Sequence, residues 1–113
     1  MMNKMETYRK AYVYVEEQLA GVLRETEVGY SFQYCLDYLN HAEATPVSLT
    51  LPLNPNEYTS KILFPFFDGL IPEGWLLSIV TKNWKIDPND RFGLLLAACK
   101  DSIGNVKIEE EQL

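Results

Sequence analysis

The strictest pattern in this sequence is the alternation of aromatic and polar residues in the segment Tyr30-Ser31-Phe32-Gln33-Tyr34. Successive side chains of a β-strand point to opposite faces, so the three aromatic rings share one face while Ser31 and Gln33 share the other. This is typical of a half-buried antiparallel strand, with one face on a core and the other toward water. Such a strand is stable only within a larger sheet whose apolar face is covered by another layer.

Four other segments have the β-branched, aromatic or alternating composition of strands: 12–15, 19–24, 47–51 and 106–108. The first of them is apolar on both faces and predicts a central strand. Residues 16–18 connect it to the second, in which Gly21 is a candidate bulge. The third alternates strictly and lies between Pro46 and Pro52. We therefore expect all four segments to join the aromatic strand in one sheet.

After residue 60 the spacing of apolar residues becomes that of helices, and three are predicted: 62–68, 72–85 and one that opens at residue 87. The first has Ser60 near its start and tolerates Pro65 only in its first turn. Pro72 fits the first position of the second helix. In the third helix, Asp87 is the predicted N-cap and Pro88 the first helical residue.

These elements predict a single α+β domain over residues 1–113. Its core is expected at about 12–108, with a short polar N-terminal tail at 1–10 and an acidic C-terminal tail at 109–113. The first half and the last strand form a small, mostly antiparallel sheet. About three helices from the second half pack against one face of that sheet.

The charge of the chain argues against nucleic acid as a partner. The net charge is −6, and no Lys or Arg occurs between Arg24 and Lys61, a stretch that contains five Asp or Glu residues. Nucleic acids are held mainly by Lys and Arg that neutralise phosphates. An acidic surface suits a basic groove on another protein, although the same charge also serves simply to keep a small domain in solution.

The sequence also predicts a cytoplasmic location without membrane contact. Residues 1–10 are polar and mixed in charge, unlike a secretory leader, and Asp68 and Glu73 interrupt the most hydrophobic stretch. The two cysteines, Cys35 and Cys99, are expected to be free thiols that behave as small apolar side chains.

No enzymatic constellation is visible in the sequence. His41 is the only histidine, and no serine or cysteine is marked as its nucleophilic partner. The sequence has neither a Cys-x-x-Cys pair nor a Gly-rich phosphate loop. We therefore expect a non-enzymatic protein that needs no cofactor or metal ion and acts by binding another protein.

Three blocks resemble the N-terminal subdomain of HipA-type toxin kinases, in order and in spacing: 46–53, 66–75 and 100–106. The middle block, Phe-Phe-Asp-Gly-Leu-Ile-Pro-Glu-Gly-Trp, is the most distinctive. The resemblance extends over roughly residues 12–108. In full-length members of that family the subdomain precedes a Ser/Thr kinase core, whereas this sequence stops at Leu113. It is therefore similar to the free-standing form of the subdomain, the HipS-type antitoxin of tripartite HipBST toxin–antitoxin systems.

The resemblance implies a function as well as a fold. A HipS-type protein binds and inhibits a HipT/HipA-like Ser/Thr kinase, and a separate HipB-like protein of the same system binds DNA. Two alternatives stay open. The chain could instead be a structural subunit that completes and activates the kinase, or a generic protein-interaction module.

The segment from Asp68 to Trp75 is the expected contact with the kinase, inserted at or near its active site. Six residues are predicted to bind the partner: Phe67, Asp68, Ile71, Glu73, Gly74 and Trp75. On a helical wheel Trp75 lies at the margin of an apolar arc centred on Leu76 and Val80. It either protrudes into a pocket of the partner or closes the edge of its own core, whereas Trp84 is assigned to the core. The aromatic face of residues 30–34 is a second candidate contact surface.

Overall fold

A computed structural model of the protein describes residues 8–82, 87–99 and 104–111, apart from the side chains of residues 79–81. Its strands are β1 (Lys10–Val15), β2 (Gln18–Thr26), β3 (Gly29–Tyr34), β4 (Tyr58–Ser60) and β5 (Val106–Glu110). They form one antiparallel sheet in the order β4-β3-β2-β1-β5. The helices within the described ranges are α1 (Leu36–Leu39), α2 (Pro65–Asp68), α3 (Glu73–Lys82) and α4 (Arg91–Ala98). The predicted α+β class is confirmed, with α1 as an addition that the sequence did not indicate.

The alternation in the first half forms the sheet as expected. β1 lies between β2 and β5, and its alternate residues Ala11, Val13 and Val15 are buried. The predicted bulge is present beside Gly21, because Val13 pairs with Gly21 whereas Tyr14 pairs with Leu19. The β2 residue between Gly21 and Leu19 has no partner on β1. Such a bulge increases the local twist of the strand.

The aromatic face of β3 packs into the core. Phe32 is fully buried, and its ring centroid lies 4.9 Å from that of Tyr34 and 5.5 Å from that of Phe67 on α2. Gly21 makes room for this ring, since a Cβ atom there would lie 2.7 Å from the Phe32 Cζ. The aromatic face of β3 is therefore covered by the protein's own helices, as such stripes usually are. Ser31, expected on the solvent side, is also fully buried.

The predicted strand at 47–51 is wrong. These residues form a turn, in which the Leu51 amide donates to the Ser48 carbonyl at 3.0 Å. The fourth strand of the sheet is instead Tyr58–Ser60, which pairs with residues 30–32 of β3. Pro46 and Pro52 bracket the turn and cannot donate to a ladder. The alternation at 47–51 therefore reflects a turn whose first and last side chains are buried, and not a strand.

Two helix starts also differ from the prediction. The first predicted helix begins at Pro65 rather than near Ser60, which belongs to β4. Pro65 then occupies the first turn, the only place where its missing N–H costs nothing. α4 is capped by Asp90, whose carboxylate accepts from the Gly93 amide at 3.2 Å, and not by Asp87. The Asp87 carboxylate instead accepts from the Asn89 amide at 2.9 Å, in the turn that precedes α4.

The ends of the sequence contribute more to the fold than the expected tails suggest. β1 begins at Lys10, and β5 runs to Glu110 beside it. The Glu111 amide donates to the Lys10 carbonyl at 2.8 Å, and the Tyr12 hydroxyl donates to the Glu111 carboxylate at 3.1 Å. Residues 9, 10 and 109–111 are therefore part of the sheet region.

Arg9 joins the sheet to α4. Its guanidinium donates to both carboxylate oxygens of Glu25, at 2.9 and 2.8 Å, and to both of Asp90, at 3.1 and 2.7 Å. It also lies 5.2 Å from the ring centroid of Phe92. The hydrogen bond from Arg9 is the main reason why the pKa of Asp90 is lowered. One cation thus fixes β2 and the first turn of α4 relative to β1.

We expect the substitution Arg9→Met to lower the free energy of unfolding at pH 7 by about 2 kcal/mol, because Glu25 and Asp90 would face each other without a cation. The depressed pKa of Asp90 gives the sign of the pH dependence. Its stabilisation is complete above the unfolded value, 3.8, and is lost as the pH falls below that value. Urea denaturation of both proteins between pH 3 and 7 measures the difference, which should shrink toward the acidic end.

The neighbouring residue provides the control for this measurement. Lys10→Met removes a single, longer ion pair, in which the Lys10 ammonium lies 3.6 Å from the Glu111 carboxylate, and should cost no more than about 0.5 kcal/mol. Equal losses from both substitutions would show that Arg9 contributes no more than an ordinary surface charge.

Candidate partner-binding segment

The segment from Asp68 to Trp75 begins on a fixed base. α2 is a single turn in which the amides of Asp68 and Gly69 donate to the carbonyls of Phe64 and Pro65, both at 2.9 Å. Phe67 projects from this turn into the core and is fully buried, with its ring centroid 5.1 Å from that of Phe66. The base of the segment is therefore held by aromatic packing on the sheet.

The middle of the segment is a second turn. The Leu70 amide donates to the Phe67 carbonyl at 3.0 Å, and the Ile71 amide donates to the Asp68 carbonyl at 3.2 Å. The Ile71 side chain is buried, whereas that of Leu70 is half-buried. Consecutive backbone hydrogen bonds and a buried anchor give the segment a defined shape.

An ion pair ties the segment to α4. The Arg91 Nε donates to an Asp68 carboxylate oxygen at 2.6 Å. Asp68 is one of the predicted partner contacts, and it already has a basic neighbour within the domain. Sequence reasoning missed Arg91, because no local pattern connects a helix start to a residue twenty-three positions earlier.

The far end of the segment is the start of α3. Pro72 lies just before the helix, and its carbonyl accepts from the Leu76 amide at 3.0 Å. Glu73 and Gly74 are exposed, and a Cβ atom added at Gly74 would have no neighbour within 4 Å. Trp75 is half-buried and packs against the core with part of its side chain. It therefore combines a packed side and an accessible side.

The six predicted contact residues thus divide into two groups. Phe67 and Ile71 are buried, which corrects the expectation that their side chains meet a partner: in this structure they support the segment from below. Glu73, Gly74 and part of Trp75 are accessible, and Asp68 is partly so. Trp84 and Val80, both part of the predicted apolar arc, lie outside the described side chains, while Leu76 does pack on the core.

Leu77 is an accessible apolar residue that sequence reasoning did not single out. It is 66% exposed and follows Leu76 on α3. Its position on the helical wheel, one step of 100° from Leu76, was the available signal. Because residues two apart on a helix lie about 160° from each other around its axis, Leu77 forms an accessible apolar surface separate from that of Trp75.

The other reactive side chains show no sign of activation. Both cysteines are free thiols. Burial raises the pKa of the Cys99 thiol to about 11, and burial together with Asp37 raises that of Cys35; such thiols are poor nucleophiles at neutral pH. The His41 ring is exposed and lies 3.1 Å from the Gln18 side-chain amide. In the part of the chain that the structure describes, no group of three or more His, Cys, Asp or Glu could hold a metal ion, and no helix there is long and apolar enough to cross a membrane.

Comparison with known proteins assigns the chain to a family. Residues 11–109 match the family of HipA N-terminal domains. The chain belongs to this family. A HipA N-terminal domain is, on its own, a non-catalytic subdomain, and membership connects the chain with HipA-family toxin–antitoxin systems.

Two relatives of this HipA N-terminal domain support the assignment over nearly the whole sequence. An uncharacterized protein of Haemophilus influenzae (strain KW20 / Rd) is 36% identical over 104 residues, which cover 92% of this chain and 94% of that protein. The solved structure of an N-terminal domain of HipA toxin is similar with a TM-score of 0.73 and 32% identity. That match covers 92% of this chain and 93% of the solved one.

Proposed function

We propose that this chain is an antitoxin of the HipS type, which binds a HipT/HipA-like Ser/Thr kinase in the cytoplasm and inhibits it. In this proposal the segment from Asp68 to Trp75 enters the kinase at or near its active site, and a HipB-like protein in the same complex binds the DNA. The proposal rests on the position of Trp75: this aromatic residue is partly accessible and lies at the end of a segment that is anchored at its base.

The fixed shape of the segment supports a binding role. Ordering a loop and its side chains upon binding costs free energy, so a segment that is already ordered binds more tightly for the same contacts. Here the order comes from the buried Phe67 ring of α2, two turns of backbone hydrogen bonds and the Arg91–Asp68 pair. A large aromatic side chain on such a base is the type of residue that dominates protein interfaces.

Charge supports an active-site location. Kinases hold the phosphates of ATP with lysine and Mg²⁺, so their active sites attract carboxylates. Glu73 is exposed next to Trp75 in the first turn of α3, and the chain as a whole carries a net charge of −6. Complementary charge also accelerates the encounter of the two proteins.

The Haemophilus relative supports the free-standing form. Its match with this chain spans 94% of its own length, so that protein consists almost entirely of this domain. The competing function, a subunit that completes and activates the kinase, predicts the same partner but the opposite effect on activity.

Co-expression with the HipA-family kinase encoded in the same operon distinguishes these functions. We expect the intact chain to restore growth and to lower phosphorylation by the purified kinase. Gly74→Gln tests the segment, because the added side chain meets no atom of the domain within 4 Å of its Cβ and improves helix propensity. This variant should stay folded, yet its added bulk beside Trp75 should weaken inhibition by about tenfold or more.

Gly74→Ala is the matched control and should inhibit nearly as well as the original chain, since it adds only a methyl group. If the chain binds the kinase and phosphorylation persists or increases, it is a completing subunit. A chain that does not bind the kinase at all would exclude both functions and leave a generic interaction module.

A further inference from the structure

A cavity of about 310 Å³ lies at the base of the segment from Asp68 to Trp75. Its walls come from the chain before α2, from α2 itself and from the first residue of α4: Ile62, Leu63, Pro65, Asp68 and Arg91. Leu63 is buried, whereas Ile62 is 68% exposed. Because Asp68 belongs both to this wall and to the segment, the cavity and the segment form one continuous surface.

The guanidinium of Arg91 in this wall has fewer partners than that of Arg9, although the two side chains are almost equally buried, with 34% and 31% of their surface exposed. Arg9 makes four hydrogen bonds with two carboxylates, at 2.7 to 3.1 Å. Arg91 makes one, from its Nε to Asp68 at 2.6 Å. Within the ranges that the structure describes, no acceptor lies within hydrogen-bonding distance of its Nη1 and Nη2 groups.

An incompletely paired guanidinium in a cavity is complementary to an anion. The group carries five N–H donors in a planar fork that matches the two oxygens of a carboxylate. Burial of much of the side chain removes water from these donors, and that loss is offset only when acceptors replace the water. Arg9 shows the completed arrangement in the same domain, with Glu25 on one edge of its fork and Asp90 on the other. The fork of Arg91 has room for a second carboxylate in the same way.

The other walls narrow the class of anion. Ile62 and Pro65 are exposed apolar residues of the same cavity, and they suit the methylene groups of an Asp or Glu side chain. A phosphate fits less well, since it carries nearly two negative charges and would lie close to the Asp68 carboxylate. The site therefore favours a singly charged carboxylate on a short apolar stem.

We infer that Arg91 binds an aspartate or glutamate side chain of the partner kinase in this cavity. The inference rests on the proposed function, and it adds a charged contact at the base of the segment to the aromatic contact at its end. Asp68 and Trp75 are seven residues apart, which spans no more than about 25 Å even in an extended chain. One side of an ordinary protein interface, about 800 Å², is roughly 30 Å across and is wide enough for both contacts.

The test compares two substitutions that break the same ion pair, with the affinity for the purified kinase measured by calorimetry. Arg91→Gln removes the fork, and we expect binding about tenfold weaker. Asp68→Asn keeps an oxygen for the Arg91 Nε but removes the negative charge beside the incoming carboxylate, so binding should become about threefold tighter. Effects of opposite sign are diagnostic, because an ion pair that only stabilises the domain would make both variants bind more weakly.

Lys107→Gln is the matched control for the loss of a cation. The Lys107 side chain is also 34% exposed and lies 3.4 Å from the Glu109 carboxylate, on the edge strand β5 at the other side of the sheet from β4. This variant should bind the kinase like the original chain. The difference between the original chain and Arg91→Gln should also shrink at high ionic strength, since salt screens the lost attraction.

The outcomes separate the inference from the proposed function. If Arg91→Gln and Asp68→Asn weaken binding equally, the ion pair only positions the segment, and the inference is overturned while the antitoxin function stands. The same holds if Arg91→Gln binds within about twofold of the original chain, because the cavity then takes no carboxylate. A loss with Asp68→Asn alone would make Asp68 the contact instead of Arg91, which also overturns the inference. If the original chain does not bind the kinase, both are overturned.

Discussion

Replacing Trp75 by alanine is expected to weaken binding of the partner kinase by roughly 30- to 1000-fold, which corresponds to about 2–4 kcal/mol. Trp75 packs on the core with one side and keeps the other accessible at the start of α3. Its anchored backbone means that little entropy is lost when the exposed side is covered. Calorimetry with the purified kinase measures the loss, and growth in the co-expression assay should fail in parallel.

A stability measurement must accompany this result, because Trp75 also contributes to its own domain. The packed side of the ring is expected to stabilise the fold by only about 1 kcal/mol, so the variant should remain folded at 25 °C. Trp75→Phe, which keeps an aromatic ring at the core, should recover most of the stability and only part of the affinity. If Trp75→Ala binds the kinase as well as the original chain, the segment is not the principal contact.

Replacing Phe67 by alanine is expected to lower the free energy of unfolding by about 3–5 kcal/mol. The ring is fully buried and lies 5.5 Å from Phe32, 5.1 Å from Phe66 and 6.2 Å from Phe64, centroid to centroid. Removing it leaves a cavity between α2 and the sheet that close-packed neighbours fill only partially. Urea denaturation at neutral pH measures the effect.

Phe66 is the matched control, since it is the same residue type at the next position on α2 but is only half-buried. Phe66→Ala should cost clearly less, about 1–2 kcal/mol. Similar losses from the two substitutions would contradict the conclusion that Phe67 is the main aromatic anchor of the segment on the sheet.

The sheet could be predicted from the sequence wherever burial alternates. β1, β2 and β3 are consecutive in sequence and paired in space, so their alternation and short connections suffice. β4 could not be predicted, because it is three residues long and pairs with β3 across a long connection. The alternation at 47–51 was misleading for a physical reason: two buried side chains and one exposed leucine satisfy the same pattern in a turn.

The candidate segment was identified by its composition, but its support was not. A run of Phe-Phe-Asp-Gly and Pro-Glu-Gly-Trp indicates turns and anchors without showing which ring is buried. The structure decides between Phe66 and Phe67 through the position of Phe32 in the sheet. The partner of Asp68 depends on where α4 begins, and that start is set by a cap at Asp90 rather than at Asp87. Such tertiary contacts leave no periodic signal in the sequence.

The pairing of β5 with β1 has a consequence for the order in which the domain forms. The hairpins of β1, β2 and β3 need only neighbouring residues and can assemble as soon as that part has left the ribosome. The other side of β1 stays unpaired until residues 106–110 are synthesised, because β5 is its partner there. During that interval the nascent chain exposes a strand edge that other strands can pair with. Synthesis of the last strand, rather than of the helices, therefore ends the period in which this domain is most prone to aggregation.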